Sequence, residues 1–449
     1  MSDQPRPLTD EELLTEIYSS FEPFLPPLKE AYVDCREVRG KWDVVRELGR
    51  RITRSKQPTC QLYTGHRGVG KSTELQQLRE FLTAQHYFVV YFAADNEDIE
   101  PLDTEYADIL FACTRHLAQA ITVQNHNPLV NWLQERWGAL QDLAQSEVQF
   151  DGLTLEGQIA QFGSISSTLR AVPDKRRELR KRINDYTPSL VTALNEFIRE
   201  AQTVLAPEYK GIVIMADNLD RIVERQEAGK PSNYDEIYLN RSEILRGLDC
   251  HVIYTVPISM VYSERATRLE DNYDKPDVLP MVMMRYPDGD VNEAGIDKFR
   301  ELIAKRIALI DADLAANLDT HLFDSAATLR QLCLMSGGHL RNLMQLIQRA
   351  IDWTDQLPIT AQAVQIAIEE TRETYLNTVQ ANQWEILAQV CHTRTADNDD
   401  RCLRLLLNRC LLEYRYYDEQ SKLQRWHNVH PLIEDIPAFQ NALAKVLQA

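Results

Sequence analysis

The sequence predicts an α/β fold: a parallel sheet wrapped by helices, then an all-helical segment and a small terminal domain. Three observations carry this. Short apolar, β-rich runs alternate with helical patterns over the first half of the chain. A glycine-rich turn separates the first run from a strongly helical stretch. Beyond about Asn292 the periodicity is helical alone. Strands that alternate with helices imply crossover connections and parallel pairing.

The elements follow in order. Thr9-Asp-Glu-Glu12 opens a helix, because acidic side chains suit the positive end of the helix dipole. Leu48 to Arg54 completes a second helical pattern ahead of Pro58. Cys60 to Thr64 is the first apolar run, and Thr73 to Ala84 is the helix behind the glycine turn. Tyr87–Ala93 (YFVVYFA), Gly211–Ala216 (GIVIMA) and His251–Val256 (HVIYTV) read as strands buried on both faces. Residues 105–200 are mostly helical. Later helices fall at Ile296–Ile310, Ser325–Leu334 and Leu340–Trp353, and the tail reads helix, helix, strand, turn, strand, helix.

Composition narrows the class. With 449 residues the chain expects several domains. Its 49 Lys+Arg against 67 Asp+Glu give a net charge of −18, so the whole is repelled by nucleic acid and anionic membranes. Protein partners are favoured on bulk charge. The eight cysteines form no CxxC pair, which points to reduced core thiols rather than zinc or disulfides. The polar N-terminus lacks a signal core and no apolar run reaches bilayer length. A cytoplasmic protein without membrane contact is expected.

Gly65-His66-Arg67-Gly68-Val69-Gly70-Lys71-Ser72 matches GxxxxGK[ST], followed by Thr73. Glycines let backbone N–H groups curl around phosphate oxygens, and the next helix points its positive end at the same anion. Lys71 reaches the β- and γ-phosphates and the Ser72 hydroxyl ligates Mg²⁺. Such a loop needs a carboxylate at a neighbouring strand end to hold the metal, and Asp217 closes the run Ile212–Ala216. Asn218 stands next, so Asp220 is the nearby carboxylate that polarises an attacking water, or else it caps the following turn. A weak base implies slow hydrolysis. Thr255, in the third buried strand, or Ser259, just after it, stands where this stretch resembles AAA+-type ATPases, a resemblance that implies a polar sensor of the γ-phosphate there; the alternative is a strand Thr facing a helix. Arg341, in Ser336-Gly-Gly-His-Leu-Arg341, has the fork geometry for phosphate oxygens. Arg241 and Arg246 precede the His251 strand, where the resemblance to AAA+-type ATPases implies a finger reaching a neighbouring subunit.

Together these residues resemble the AAA+/STAND branch of P-loop ATPases over roughly 36–440. The lid motif is similar to origin-recognition and transposition ATPases, and Asp217-Asn-Leu-Asp220 with the tail resembles NACHT and NB-ARC proteins. The resemblance implies a helical extension at 1–35 and a P-loop ATPase core at 36–290 with a helical insert at about 105–200. A helical lid at 291–374 and a winged-helix domain at 375–449 follow. It implies ATP/ADP and Mg²⁺ as cofactors, homo-oligomers, and a separately encoded protein effector, with prokaryotic antiviral defence as one setting. His430, in Val429-His-Pro431, is similar to a histidine that contacts ADP in NB-ARC proteins; its alternative is a packed core-edge residue. The other role is a DNA-associated ATPase of transposition, replication or repair.

Two segments bear on that choice. From Leu376 onward there are eight Lys+Arg and nine Asp+Glu, an unpromising balance for DNA reading despite Arg401, Arg404 and Arg409. Lys175-Arg-Arg-Glu-Leu-Arg-Lys-Arg182 is the densest basic run. It reads as a solvated helix face or as a dock for an acidic partner, nucleic acid included.

Overall fold

The computed structural model describes residues 9–24, 29–41, 43–121, 127–140 and 154–448. Residues 1–8 and 25–28 of the expected extension, and 122–126 and 141–153 of the expected insert, lie outside them. The chain folds into two compact units, one of 44–64 with 74–278, the other of 1–43 with 65–73 and 279–449.

The first unit is built on a five-stranded sheet: β1 (Cys60–Thr64), β2 (Phe88–Ala93), β3 (Ile212–Asp217), β4 (His251–Thr255) and β5 (Asp277–Val278), in the order β2-β3-β4-β1-β5. Every pair is parallel, as the alternation of strands and helices requires. Four strands fall where the apolar runs stand. The fifth, two residues long, is too short to leave a periodic signal. The registers Tyr63↔Thr255, Ala216↔Tyr254 and Ala93↔Asp217 align the carboxyl ends of β1 to β4 along one edge. Ligands of open α/β sheets bind outside such an edge.

Helices Tyr106–Ala120, Pro128–Leu140, Leu155–Ala171 and Pro173–Leu205 occupy the stretch read as mostly helical. They share one apolar core with the sheet, from Leu62 and Phe92 to Phe111, Phe162 and Phe197. The basic run 175–182 lies on the last of these helices, and only part of it faces solvent. Arg176 and Arg180 turn inward. Arg180 bridges Asp108 at 2.5 Å and Asp103 at 3.0 Å, and Arg176 bridges Asp103 at 2.8 Å. The sequence reading treated the run as one surface, because a charge pattern does not show which flank a neighbouring helix covers.

The second unit gathers the helix Asp10–Ser20, the loop 65–73, helices from Glu293 to Thr378, and the tail. Thr9 and Glu12 close a capping box at the start of Asp10–Ser20. The lid helix Leu340–Asp352 contacts Asp10–Ser20, and Gln348 donates to the Tyr18 carbonyl at 3.2 Å. The tail forms Trp384–Thr393, Asp400–Leu407, an antiparallel hairpin of β6 (Leu411–Tyr417) and β7 (Leu423–Val429), and Pro437–Val446. Its hairpin packs within the unit: Tyr414 stacks on Trp426 at 4.5 Å and donates to the Gly337 carbonyl at 2.7 Å. All eight cysteines are free, and no described helix is long and apolar enough to cross a membrane.

Removing one partner of a buried ion network leaves the others uncompensated. Arg180→Ala should therefore cost about 3–5 kcal/mol of unfolding free energy. Urea denaturation of the full chain reads it; a loss within the noise of an exposed Arg177→Ala control would mean that the carboxylates find other partners.

Candidate functional site

The glycine-rich loop is organised through its carbonyl groups. Lys71 Nζ reaches back to donate to Gly65 O at 2.9 Å and His66 O at 3.0 Å. His339 Nε2 donates to Arg67 O at 2.6 Å, the Arg341 backbone N–H to Gly68 O at 3.1 Å, and Arg39 Nη2 to Val69 O at 2.7 Å. The Val69 N–H closes the turn onto His66 O at 3.3 Å. Lys71 of the motif takes two of these carbonyls and residues distant in sequence take the other three, an arrangement that suits a turn meant to present N–H groups to an anion. Ser72 and Thr73 stand in the first turn of the helix Lys71–Ala84.

The lid helix makes two of these contacts. His339 caps it, accepting the Asn342 N–H on Nδ1 at 3.1 Å, so the proton sits on Nε2 and points to Arg67 O. Burial and the nearby Arg409 hold this imidazole well below the usual histidine range, which keeps it neutral. Gly68 is required here: at φ 87° its Cβ would lie 2.6 Å from Arg341 Cβ and 2.7 Å from His339 Cε1.

Arg341 thus touches the loop with its backbone, while its guanidinium donates to Pro23 O at 3.2 Å and lies 5.1 Å from the Phe24 ring centre. His430 is fully buried and stacks on Tyr375 at 4.6 Å. Its Nδ1 accepts the Leu432 N–H at 3.2 Å, and the Asn342 amide lies 2.7 Å from Nε2. His430 therefore meets the lid helix one residue beyond Arg341. His427 lies on β7, 3.3 Å from Glu413.

In the sheet unit, Asp217 ends β3 fully buried. Its carboxylate accepts the Tyr91 hydroxyl at 2.8 Å and the Asn218 N–H at 2.7 Å. Thr255 Oγ1 accepts the Leu219 N–H at 3.0 Å, tying β4 to the turn Leu219–Arg221 that contains buried Asp220. Asn218, left-handed at φ 63°, takes the cap position of that turn. Its amide donates to Asp95 at 2.7 Å, and Asp95 also bridges Arg221 at 2.5 Å. Ser259 is buried on the short helix Ile258–Val261. Arg241 pairs with Glu236 at 3.0 Å, and Arg246 lines a cleft of about 810 Å³ with Thr59 and Cys60, at the amino end of β1.

Sequence reasoning missed Arg39, His339 and Asp95. Arg39 belongs to no motif and precedes the first strand. His339 is an uncommon cap, since Ser, Thr, Asp and Asn dominate that position. Asp95 follows a strand that carried no phosphate signal.

The side-chain donors beside the loop suit a polyphosphate: Lys71, and a buried Arg39 whose Nε and Nη1 have no partner among the described residues. Within the loop's unit Ser72 is a side chain suited to Mg²⁺, which would supply charge neutralisation of the phosphates.

Neither a protein-family model nor any curated protein matches the chain. Solved structures resemble it weakly. The Aeropyrum pernix ORC1 protein, solved in complex with DNA, is 12% identical with TM-score 0.39, over 95% of this chain and 96% of that one. The Walker-type ATPase PABY2304 of Pyrococcus abyssi is 12% identical with TM-score 0.45, over 95% and 99%. Cdc6p from Pyrobaculum aerophilum is 11% identical with TM-score 0.38; the shares are 96% and 98%. At such identities and scores these likenesses carry no argument about function.

Burial lowers His66 to about 4 and His430 to about 3 from the ordinary 6.5, and His251 at the start of β4 to about 4. The sign follows from linkage. These groups stay neutral when folded and take up protons when unfolded, so stability is full above pH 6.5 and is lost as pH falls towards 4. Each contributes a slope of up to about 1.4 kcal/mol per pH unit. Urea midpoints at pH 7.5, 6 and 5 should fall steadily, and less steeply in His66→Gln. A flat profile over that range would contradict neutral burial.

Proposed function

We propose that the chain binds Mg·ATP at Gly65–Ser72 and hydrolyses it, with Asp217 as the metal carboxylate and Asp220 as the group that polarises water. The observation that carries this is the loop, five of whose carbonyls accept hydrogen bonds, two of them from the buried Lys71. Asn218 following Asp217 supports slow turnover, as suits a switch. Thr255 and Arg341 are the proposed readers of the γ-phosphate. Nucleotide-dependent homo-oligomers, with Arg241 or Arg246 reaching the neighbour, complete the reading.

For the wider role, the helix–helix–hairpin–helix order of the tail is that of a winged helix, which supports the DNA-associated alternative. Its charge does not favour it: Arg401 on the helix Asp400–Leu407 is paired with Asp399 at 2.7 Å, and Arg409 lies 3.4 Å from Asn342. The tail's packing inside its own unit supports an intramolecular task. Control of a separate effector, antiviral defence included, rests on the sequence resemblance alone. A steep fall of DNA affinity with salt would establish the DNA role, because neutralised phosphates release counterions.

Lys71→Ala should abolish ATP binding in equilibrium titrations. Unchanged affinity would sink the nucleotide reading. Asp220→Asn should keep ATP binding and slow hydrolysis ~10²–10⁴-fold; wild-type turnover would remove Asp220 as the base and leave Asp95 to be tested next.

His430 serves as an ADP sensor only if it exchanges Asn342 for a phosphate. In that case His430→Ala weakens ADP about ten- to a hundredfold and ATP less, while His427→Ala does not. Equal losses for both nucleotides would assign His430 to packing alone.

A further inference from the structure

We propose that Arg39 is a direct ligand of the anion held by the loop Gly65–Ser72. The residue ends the short turn Glu37–Arg39 and is 2% exposed. One donor, Nη2, is spent on Val69 O at 2.7 Å. Nε and Nη1 are buried without a partner, and no carboxylate bridges the guanidinium among the described residues. That sets it apart from Arg115, Arg176 and Arg180, which are buried as deeply and each bridge Asp or Glu. A buried, uncompensated cation is unfavourable unless something supplies the opposite charge.

Neither the backbone nor the side chain is free to carry that charge to solvent. Val38 O accepts the Met283 N–H at 2.9 Å on one side of the turn. On the other, Gly40 is left-handed at φ 74°, and a Cβ there would lie 2.1 Å from the Arg415 carbonyl on β6. The guanidinium is thus clamped, and the group beside it is the end of the phosphate loop: a Cβ on Gly70 would lie 3.5 Å from Arg39 Nη2. Unspent N–H donors of fixed fork geometry next to a glycine-rich turn match phosphate oxygens. A carbonyl brace alone would need only a neutral donor.

The inference rests on the nucleotide reading, and the experiment separates the two. Full-length wild type, Arg39→Gln, Arg39→Lys and Lys71→Ala are titrated with ATP, ADP and inorganic pyrophosphate, following affinity and the rise in Tm. Gln removes the charge and, two bonds shorter than the guanidinium tip, also releases Val69 O, whereas Lys keeps the charge. Arg39→Gln should bind all three ligands about ten- to a hundredfold more weakly, with Arg39→Lys closer to wild type. Its ligand-free Tm should be no lower than wild type, because an unpaired buried charge has been removed; a merely structural arginine would lower it. Wild-type affinity in Arg39→Gln, beside lost binding in Lys71→Ala, would overturn the role of Arg39 and leave the nucleotide reading intact. A wild type that responds to neither nucleotides nor pyrophosphate would overturn both.

Discussion

The hold on the loop carbonyls is the constraint on which the candidate site depends. A glycine-rich turn has many backbone states, and it offers N–H groups to an anion only if its carbonyls are held elsewhere. Here five successive carbonyls, Gly65 to Val69, are each taken: two by Lys71, one by His339, one by the Arg341 backbone and one by Arg39. Three of these four donors come from segments far from the loop in sequence. The motif supplies the residue types, and the surrounding unit supplies the conformation.

That division explains what was legible in the sequence. The parallel sheet was, because β1 to β4 are buried on both faces and leave continuous apolar runs. The positions of the glycine-rich loop, between β1 and the helix Lys71–Ala84, and of Asp217, at the end of β3, were, because the motif and the apolar run mark them. The clamp was not. Arg39 acts through a contact thirty positions away, and His339 through one still more remote, neither of which leaves a periodic or compositional trace. The basic run 175–182 shows the same limit from the other side: its composition is plain, yet the burial of Arg176 and Arg180 depends on where Asp103 and Asp108 arrive.

Charge is distributed accordingly. An excess of carboxylates covers the chain as a whole, while the neighbourhood of the loop concentrates Lys71, Arg39 and three buried neutral histidines, His66, His339 and His430. Neutral imidazoles are a fitting choice beside these cations. His339 and His430 each use both ring nitrogens in hydrogen bonds, all three rings add no repulsion, and depressed pKa values keep them neutral at physiological pH.

A loop held by remote donors also couples ligand to unit. If an anion binds only the arrangement in which Arg39 and the lid helix grip the carbonyls, it stabilises that arrangement over any in which the grip is released. The coupling is reciprocal: whatever loosens the lid helix weakens the anion by the same free energy. His339 joins both sides of that equilibrium with a single ring, capping the helix through Nδ1 and holding the loop through Nε2. Because the imidazole is neutral with its one proton on Nε2, protonating Nδ1 would break the cap, and moving the proton would break the loop contact. The state of one buried tautomer therefore fixes both the helix start and the loop shape, which makes the lid helix the element through which the tail, by way of Asn342 and His430, has a mechanical route to the phosphate loop.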